Sequence, residues 1–162
     1  MKWIIGTEDF NKNLDNWLFK NDQKNAEWLL KNKDKIPTNF KSFSGTLYRG
    51  MIVDHEFIKI VESGKMKFLA CTSWTKDIKI ARQFAFNKKY SISKNAGINI
   101  ILSKKITDNS QIIDIESFVL FMGIDQLEMM GFDEMNLDSA VKEQEVLISK
   151  NLKINKKDLM LL

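Results

Sequence analysis

Glu143 and Glu145 stand two residues apart, directly before Val146-Leu147-Ile148. In an extended segment alternate side chains share a face, so both carboxylates are expected to point the same way from the start of a strand running Gln144 to Ser149. Gln144, Val146 and Ile148 would take the opposite, buried face. Two acids side by side repel. Solvation at a sheet edge relieves that, and a cleft that needs negative charge for a cation is the other explanation. Arg49 lies in Tyr48-Arg49-Gly50, at the inner end of a short strand. There a guanidinium fork can meet a phosphate while the glycine lets the backbone come close, although a surface salt bridge would explain the arginine as well. Ser73-Trp74-Thr75 sits at a strand exit just before a helix. Its hydroxyls can cap that helix or hold a carboxylate by a hydrogen bond. Trp74 can be packing or a platform for a flat ring.

These residues need elements to bring them together. Phe10, Leu14, Trp17 and Leu18 fall on one helical face, and a second helical piece from Asn25 to Lys35, with Trp28, Leu29 and Leu30, must stop before Pro37. The aromatic residues of both read as core contacts. A loop from Lys41 to Gly45 leads into a strand over Thr46 to Met51. Asp54 can cap a helix carrying Phe57, Ile58, Ile60 and Val61, with Gly64 as its stop. Met66 to Thr72 is expected to be extended. Thr75 or Asp77 then opens a helix with Ile78, Ala81, Phe84 and Ala85 on one side. Ile98 to Leu102 and Gln111 to Ile115 read as strands, Glu116 to Met130 as a short helix followed by a broken one, and Asp158 to Leu162 as a final strand. Gly131 to Val141 has no strong period and is expected to be an ordered loop. Helices gather in the N-terminal third and strands dominate the rest, which makes an α+β domain.

Composition narrows the function classes. With 162 residues the chain is long enough to bury a core as one domain, and 44% hydrophobic with 28% charged residues is ordinary for a globular protein. One cysteine, Cys71, excludes an internal disulfide and fits a reducing compartment; with His55 the only histidine, a metal cluster is not expected. No apolar run approaches a membrane span, and the acidic Glu8-Asp9 arrives too early for a signal peptide, so a cytosolic protein without a membrane partner is expected. The net charge of +4 eases the approach of anionic partners. Its lysines are interleaved with Asp and Glu, however, and the locally basic tail at Lys150, Lys153, Lys156 and Lys157 reads as a solvated face before a nucleic-acid stripe.

Taken in order, the chain offers a phosphate fork, a hydroxyl that can orient an acid and a carboxylate pair, each at a strand end. That set would bind a dinucleotide and stabilise a cation forming on its ribose. The order Arg49, then Ser73-Trp74-Thr75 before a helix with Ala81 and Phe84, then Glu143-Gln144-Glu145 before Val-Leu-Ile, resembles the mono-ADP-ribosyltransferases. The match is to their Arg-Ser-Glu branch, shared by bacterial toxins, vertebrate ectoenzymes and phage enzymes of the Alt and Mod type. His55 does not stand in the place of the arginine, so the branch with histidine there fits poorly. The resemblance spans roughly Thr46 to Lys150.

It implies a single ADP-ribosyltransferase domain over residues 1–162. Helices over 1–40 would pack on a β-rich NAD-binding core over 41–162, built as a mixed two-sheet core. It also implies NAD as co-substrate, with no metal. Arg49 would bind the NAD phosphates, with Tyr48 and Gly50 in the NAD-contacting strand. Ser73, Trp74 and Thr75 would form the serine motif. The distance onward to Ala81 and Phe84 selects that register over Cys71-Thr72-Ser73, in which Cys71 would stand in the serine's place. Glu145 would be the catalytic glutamate, and Glu143 the acid that goes with an arginine acceptor. The loop from about Phe132 to Val141 would recognise the substrate. The activity implied is transfer of ADP-ribose to arginine side chains of a host protein, such as a component of transcription or translation, by a monomer. Transfer to nucleic acid or another side chain, and an inactive binding module of the same fold, are the alternatives. A chain without a leader or delivery domain is expected to act where it is made, which suits a phage or mobile-element protein.

Overall fold

The computed structural model describes residues 3–41, 43–107 and 111–162, so Ser42, inside the expected 41–45 loop, lies outside the described residues. Helix α1 (Glu8–Lys20) begins at Thr7, whose hydroxyl accepts the Phe10 N–H, and ends at Asn21 in the left-handed region. It buries Phe10, Leu14 and Trp17, as the spacing predicts. Helix α2 (Gln23–Lys31) starts from the Asp22 cap. It gives way to a 3-10 turn at Lys33–Lys35, so the regular helix stops short of the expected Lys35.

Six strands follow: β1 (Gly45–Val53), β2 (Thr72–Thr75), β3 (Ile98–Ile106), β4 (Ile112–Asp114), β5 (Glu145–Ile148) and β6 (Leu159–Leu161). They form one sheet in the order β4-β5-β2-β1-β3-β6, and every neighbouring pair is antiparallel. The expected mixed two-sheet core is therefore corrected to one antiparallel sheet. Its middle explains the discrepancy. β1 pairs with β3 from Gly45↔Ile106 to Val53↔Ile98, but meets β2 at Tyr48↔Thr75. Ladder hydrogen bonds thus hold two three-stranded halves that share a narrow waist. Leu47, Met51, Ile100 and Leu102 from one half and Trp74, Ile112, Val146 and Ile148 from the other enter the same hydrophobic core, together with Phe57 and Val61 of α3 (His55–Glu62). The halves therefore face each other across shared apolar contacts, which is how a continuous sheet meets the packing demand of a two-layer one.

A second core covers the outer face of the β4-β5-β2 half, where Cys71, Ile113 and Leu147 meet Phe10, Leu14, Trp17 and Leu29 from α1 and α2. Helices α5 (Ile115–Met122) and α6 (Ile124–Met129) complete this layer. They are split at Gly123, whose φ of 82° breaks the helix where a short and then a broken helix were expected. Residues 131–141, expected to be a loop, instead hold helix α7 (Glu134–Lys142), capped by Asp133. Its signal is weak because only Leu137 and Ala140 are fully buried, too few to set a period. Helix α4 (Ile78–Ala85) is capped by Asp77 and lies on β1. The expected extended run from Met66 to Thr72 is mostly irregular up to β2. It is tied to the chain at 151–154 by the Lys67↔Lys153 bridge and the Phe68 N–H to Leu152 carbonyl bond. No helix among the described residues is long and apolar enough to cross a membrane.

Candidate active site

Helix α7 ends at Lys142 with Glu143 as its C-terminal cap, Gln144 turns through a left-handed φ of 49°, and β5 starts at Glu145. The two acids are therefore not alternate members of a strand, and the expected face with Gln144 beside Val146 and Ile148 does not exist. Glu145, Val146, Leu147 and Ile148 are all buried because β5 lies inside the sheet, between β4 and β2. The helix-to-strand turn still brings both carboxylates to one cleft of about 490 Å³. Small-molecule sites typically occupy roughly 300–1,000 Å³.

Glu145 stands opposite Thr75 on β2, which puts Ser73 on the same face of the sheet. Glu145 is 6% exposed, and its carboxylate accepts a hydrogen bond from the indole N–H of Trp17 at 2.9 Å. The Ser73 hydroxyl supplies a second one. Burial lifts the Glu145 carboxyl to about 7. The Trp17 and Ser73 hydrogen bonds oppose that rise, Glu143 adds to it by repulsion, and the Arg49 charge opposes it. At neutral pH the group is thus poised between its two forms.

Arg49 leaves β1 towards the same place. Its Nη1 donates to the Ser73 carbonyl oxygen, and its guanidinium carbon lies 5.7 Å from the centre of the Phe68 ring. Burial lowers the guanidinium to about 10, with Tyr90 and Glu145 acting in the other direction, so it stays charged at neutral pH. Arg49 Nε is buried without a hydrogen-bond partner among the described residues. A buried charged donor left open beside a cleft suits an anionic ligand such as a phosphate.

Tyr48 and Gly50 border the cleft from the opposite face of β1. Tyr48 packs against Ala81, Ala85 and Ile101. Gly50 has a structural reason for its identity: a Cβ there would lie 1.7 Å from the Ala81 carbonyl oxygen and 2.6 Å from the Ala85 nitrogen. Its bareness admits α4, which differs from the close approach to a phosphate that its motif suggests.

The two uses open to the hydroxyls are divided between them. Thr75 accepts the Asp77 N–H at the entry to α4, while Ser73 reaches Glu145. Cys71 is buried in the helix-side core, and its backbone N–H and carbonyl are both bound by the Gln23 side chain, at 2.7 and 3.0 Å. The Trp74 ring is not a platform for a ligand. It is 2% exposed, packs edge-on against Phe68 and donates its N–H to the Thr72 hydroxyl at 2.8 Å.

Apart from Phe84, which belongs to the pattern following Ser73-Trp74-Thr75, other residues of the cleft have no motif to announce them. Phe84 and Tyr90 line it with ring centres 4.5 Å apart, and Lys89, Asn136 and Ser139 stand along it. Burial raises the Glu143 carboxyl above its ordinary range, and Lys89 acts against that. Burial likewise raises the Tyr90 hydroxyl. Trp17 reads in the sequence as a core residue, and it is one. Nothing in the spacing of α1 marks its indole N–H as a partner of Glu145. Among the described residues no group of three or more His, Cys, Asp or Glu is placed to hold a metal ion.

No protein-family model matches the chain, and no curated protein matches it. Among solved structures it is similar to Vis toxin, an ADP-ribosyltransferase from Vibrio splendidus, with 14% identity and a TM-score of 0.43 over 98% of this chain and 68% of that one. It is also similar to ADP-ribosyltransferase Vis in complex with the M6 inhibitor, with 15% identity and a TM-score of 0.43 over 91% of this chain. The chain spans 60% of the length of that second structure.

Proposed function

We propose that the protein transfers ADP-ribose from NAD to an acceptor, with arginine side chains of a host protein as the favoured acceptor and with release of nicotinamide. The observation that carries this reading is the convergence of Arg49, Ser73, Glu143 and Glu145, drawn from three distant segments, on one cleft. Their order in the sequence supports the Arg-Ser-Glu branch. The unpartnered Arg49 Nε supports an anionic ligand beside them.

In this mechanism Arg49 fixes the NAD pyrophosphate, so that ribose and acceptor are aligned before reaction. Glu145, once ionised, faces the ribose as nicotinamide leaves and stabilises the oxocarbenium-like transition state electrostatically. Ser73 keeps its carboxylate in place. A bound cation would favour the ionised form, bringing a group poised near 7 to its working state. Glu143 lies outside that deepest position, half-buried and raised by burial, which suits a group that accepts a proton from the incoming guanidinium or orients it. Tyr48, Gly50 and Thr75 contribute to the NAD-binding wall. The same reading takes the protein as a monomer acting in the cytosol of the cell that makes it, on a partner from the transcription or translation machinery, as a phage or mobile-element protein would.

Labelled NAD, a cell lysate and separate protease and nuclease treatments test the acceptor class. Label removed by protease and retained after nuclease is the expected result. Glu143→Gln should lose transfer to arginine while continuing slow release of nicotinamide. Equal loss of both activities would contradict the acceptor role of Glu143.

A further inference from the structure

Glu145 is held from two sides, and one of them lies far outside the motifs. Trp17 is 1% exposed and sits on α1, 128 positions before Glu145 in the chain, with its Nε1 2.9 Å from Glu145 Oε1. An indole N–H donates and never accepts. It therefore binds the carboxylate better than the neutral acid, and it commits Oε1 while leaving Oε2 outside this contact. Both α1 and the ring are locked in the helix-side core with Phe10, Leu14 and Leu147, so the donor cannot swing away.

We propose that Trp17 is a positioning residue for the transferase reaction, fixing the Glu145 carboxylate through its indole N–H so that the free oxygen faces the ribose. The inference rests on the catalytic reading of Glu145. It gives the N-terminal helix a part in the chemistry that packing alone would not require. The charged and titratable groups around Glu145 are Arg49 from β1, Glu143 at the end of α7 and Tyr90 from the 3-10 turn at Lys88–Tyr90, with Lys89 acting on Glu143. Of these, Arg49 keeps its charge across the pH range in which Glu145 titrates. Glu143 is the neighbour whose titration can add to that of Glu145, so the experiment is run in the Glu143→Gln background as well.

The test is the pH profile of kcat/KM for nicotinamide release in Trp17→Phe, which keeps a ring in the core and removes the donor. Loss of one charge-assisted hydrogen bond should move the acidic limb up by about one pH unit. Activity should fall about tenfold at pH 6 and return to within about twofold of wild type at pH 9. A limb that stays where it is, or an equal loss at every pH, would overturn the proposal.

A second measurement does not depend on the folding of that variant. With 15N-labelled tryptophan, one of the four indole N–H signals of the wild-type protein should titrate with the midpoint of the kinetic limb, and should be silent in Glu145→Gln. If no indole signal titrates there, the contact is not made and the proposal fails. Full activity in Glu145→Gln would sink the transferase reading itself. An inactive Glu145→Gln with an unmoved limb in Trp17→Phe would sink the positioning role alone.

Discussion

At the scale of single residues, the site is organised by the cost of burying Glu145. A carboxylate this deep is lifted to about 7 from an ordinary 4.5 because desolvation outweighs two hydrogen bonds and a nearby arginine. The folded chain then binds a proton that the unfolded chain has already released. Stability from this group is full below about pH 4.5 and is lost as pH rises through about 7. The gap corresponds to about 3 kcal/mol. Glu145→Gln keeps an oxygen for Trp17 and cannot ionise, so its stability relative to wild type should grow by about that amount between pH 4.5 and pH 8. Urea unfolding at a series of pH values measures it, and parallel curves for the two proteins would show that Glu145 is not desolvated as the geometry requires. Arg49, Ser73, Glu143 and Glu145 were legible because their chemistry is carried by residue type and order. Trp17 was not, since a tryptophan that packs and one that packs and donates have the same spacing.

At the scale of elements, the cleft depends on α4 lying close to β1. Gly50 makes that possible, because any Cβ would run into the backbone of Ala81 and Ala85. Gly50→Ala should therefore push α4 outward, cost about 1–3 kcal/mol of stability and displace Phe84 at the cleft wall. Gly97→Ala is the control: its Cβ would meet nothing within 4 Å, and its effect should stay within about 0.5 kcal/mol. Thermal unfolding of the two variants checks both, and equal melting temperatures would contradict the packing argument. Elements with strong caps or dense apolar faces, such as α1, α3 and α4, could be read from the sequence. Helix α7 could not, because Leu137 and Ala140 are its buried residues and two positions are too few to set a helical period. The strand assigned to Glu143 failed for a related reason: alternation assumes extended backbone, and the left-handed Gln144 breaks it.

At the scale of the whole molecule, one sheet serves two purposes. Its halves share a core on one side, while α1, α2, α5, α6 and α7 cover the outer face of the β4-β5-β2 half on the other. Near the waist at Tyr48↔Thr75, Arg49 from one half approaches Ser73 and Glu145 from the other. The α+β class followed from the distribution of periodic segments. The single antiparallel sheet did not, because strand pairing over long sequence separations leaves no local mark. The site exists only where the halves join, which makes Glu145 the place to test the account as a whole. The direct measurement is nicotinamide release from NAD by wild type and Glu145→Gln at pH 8, with NAD affinity of each by calorimetry. The account predicts a loss of about a hundredfold or more in rate with affinity changed less than about threefold. A variant that releases nicotinamide at close to the wild-type rate would contradict it.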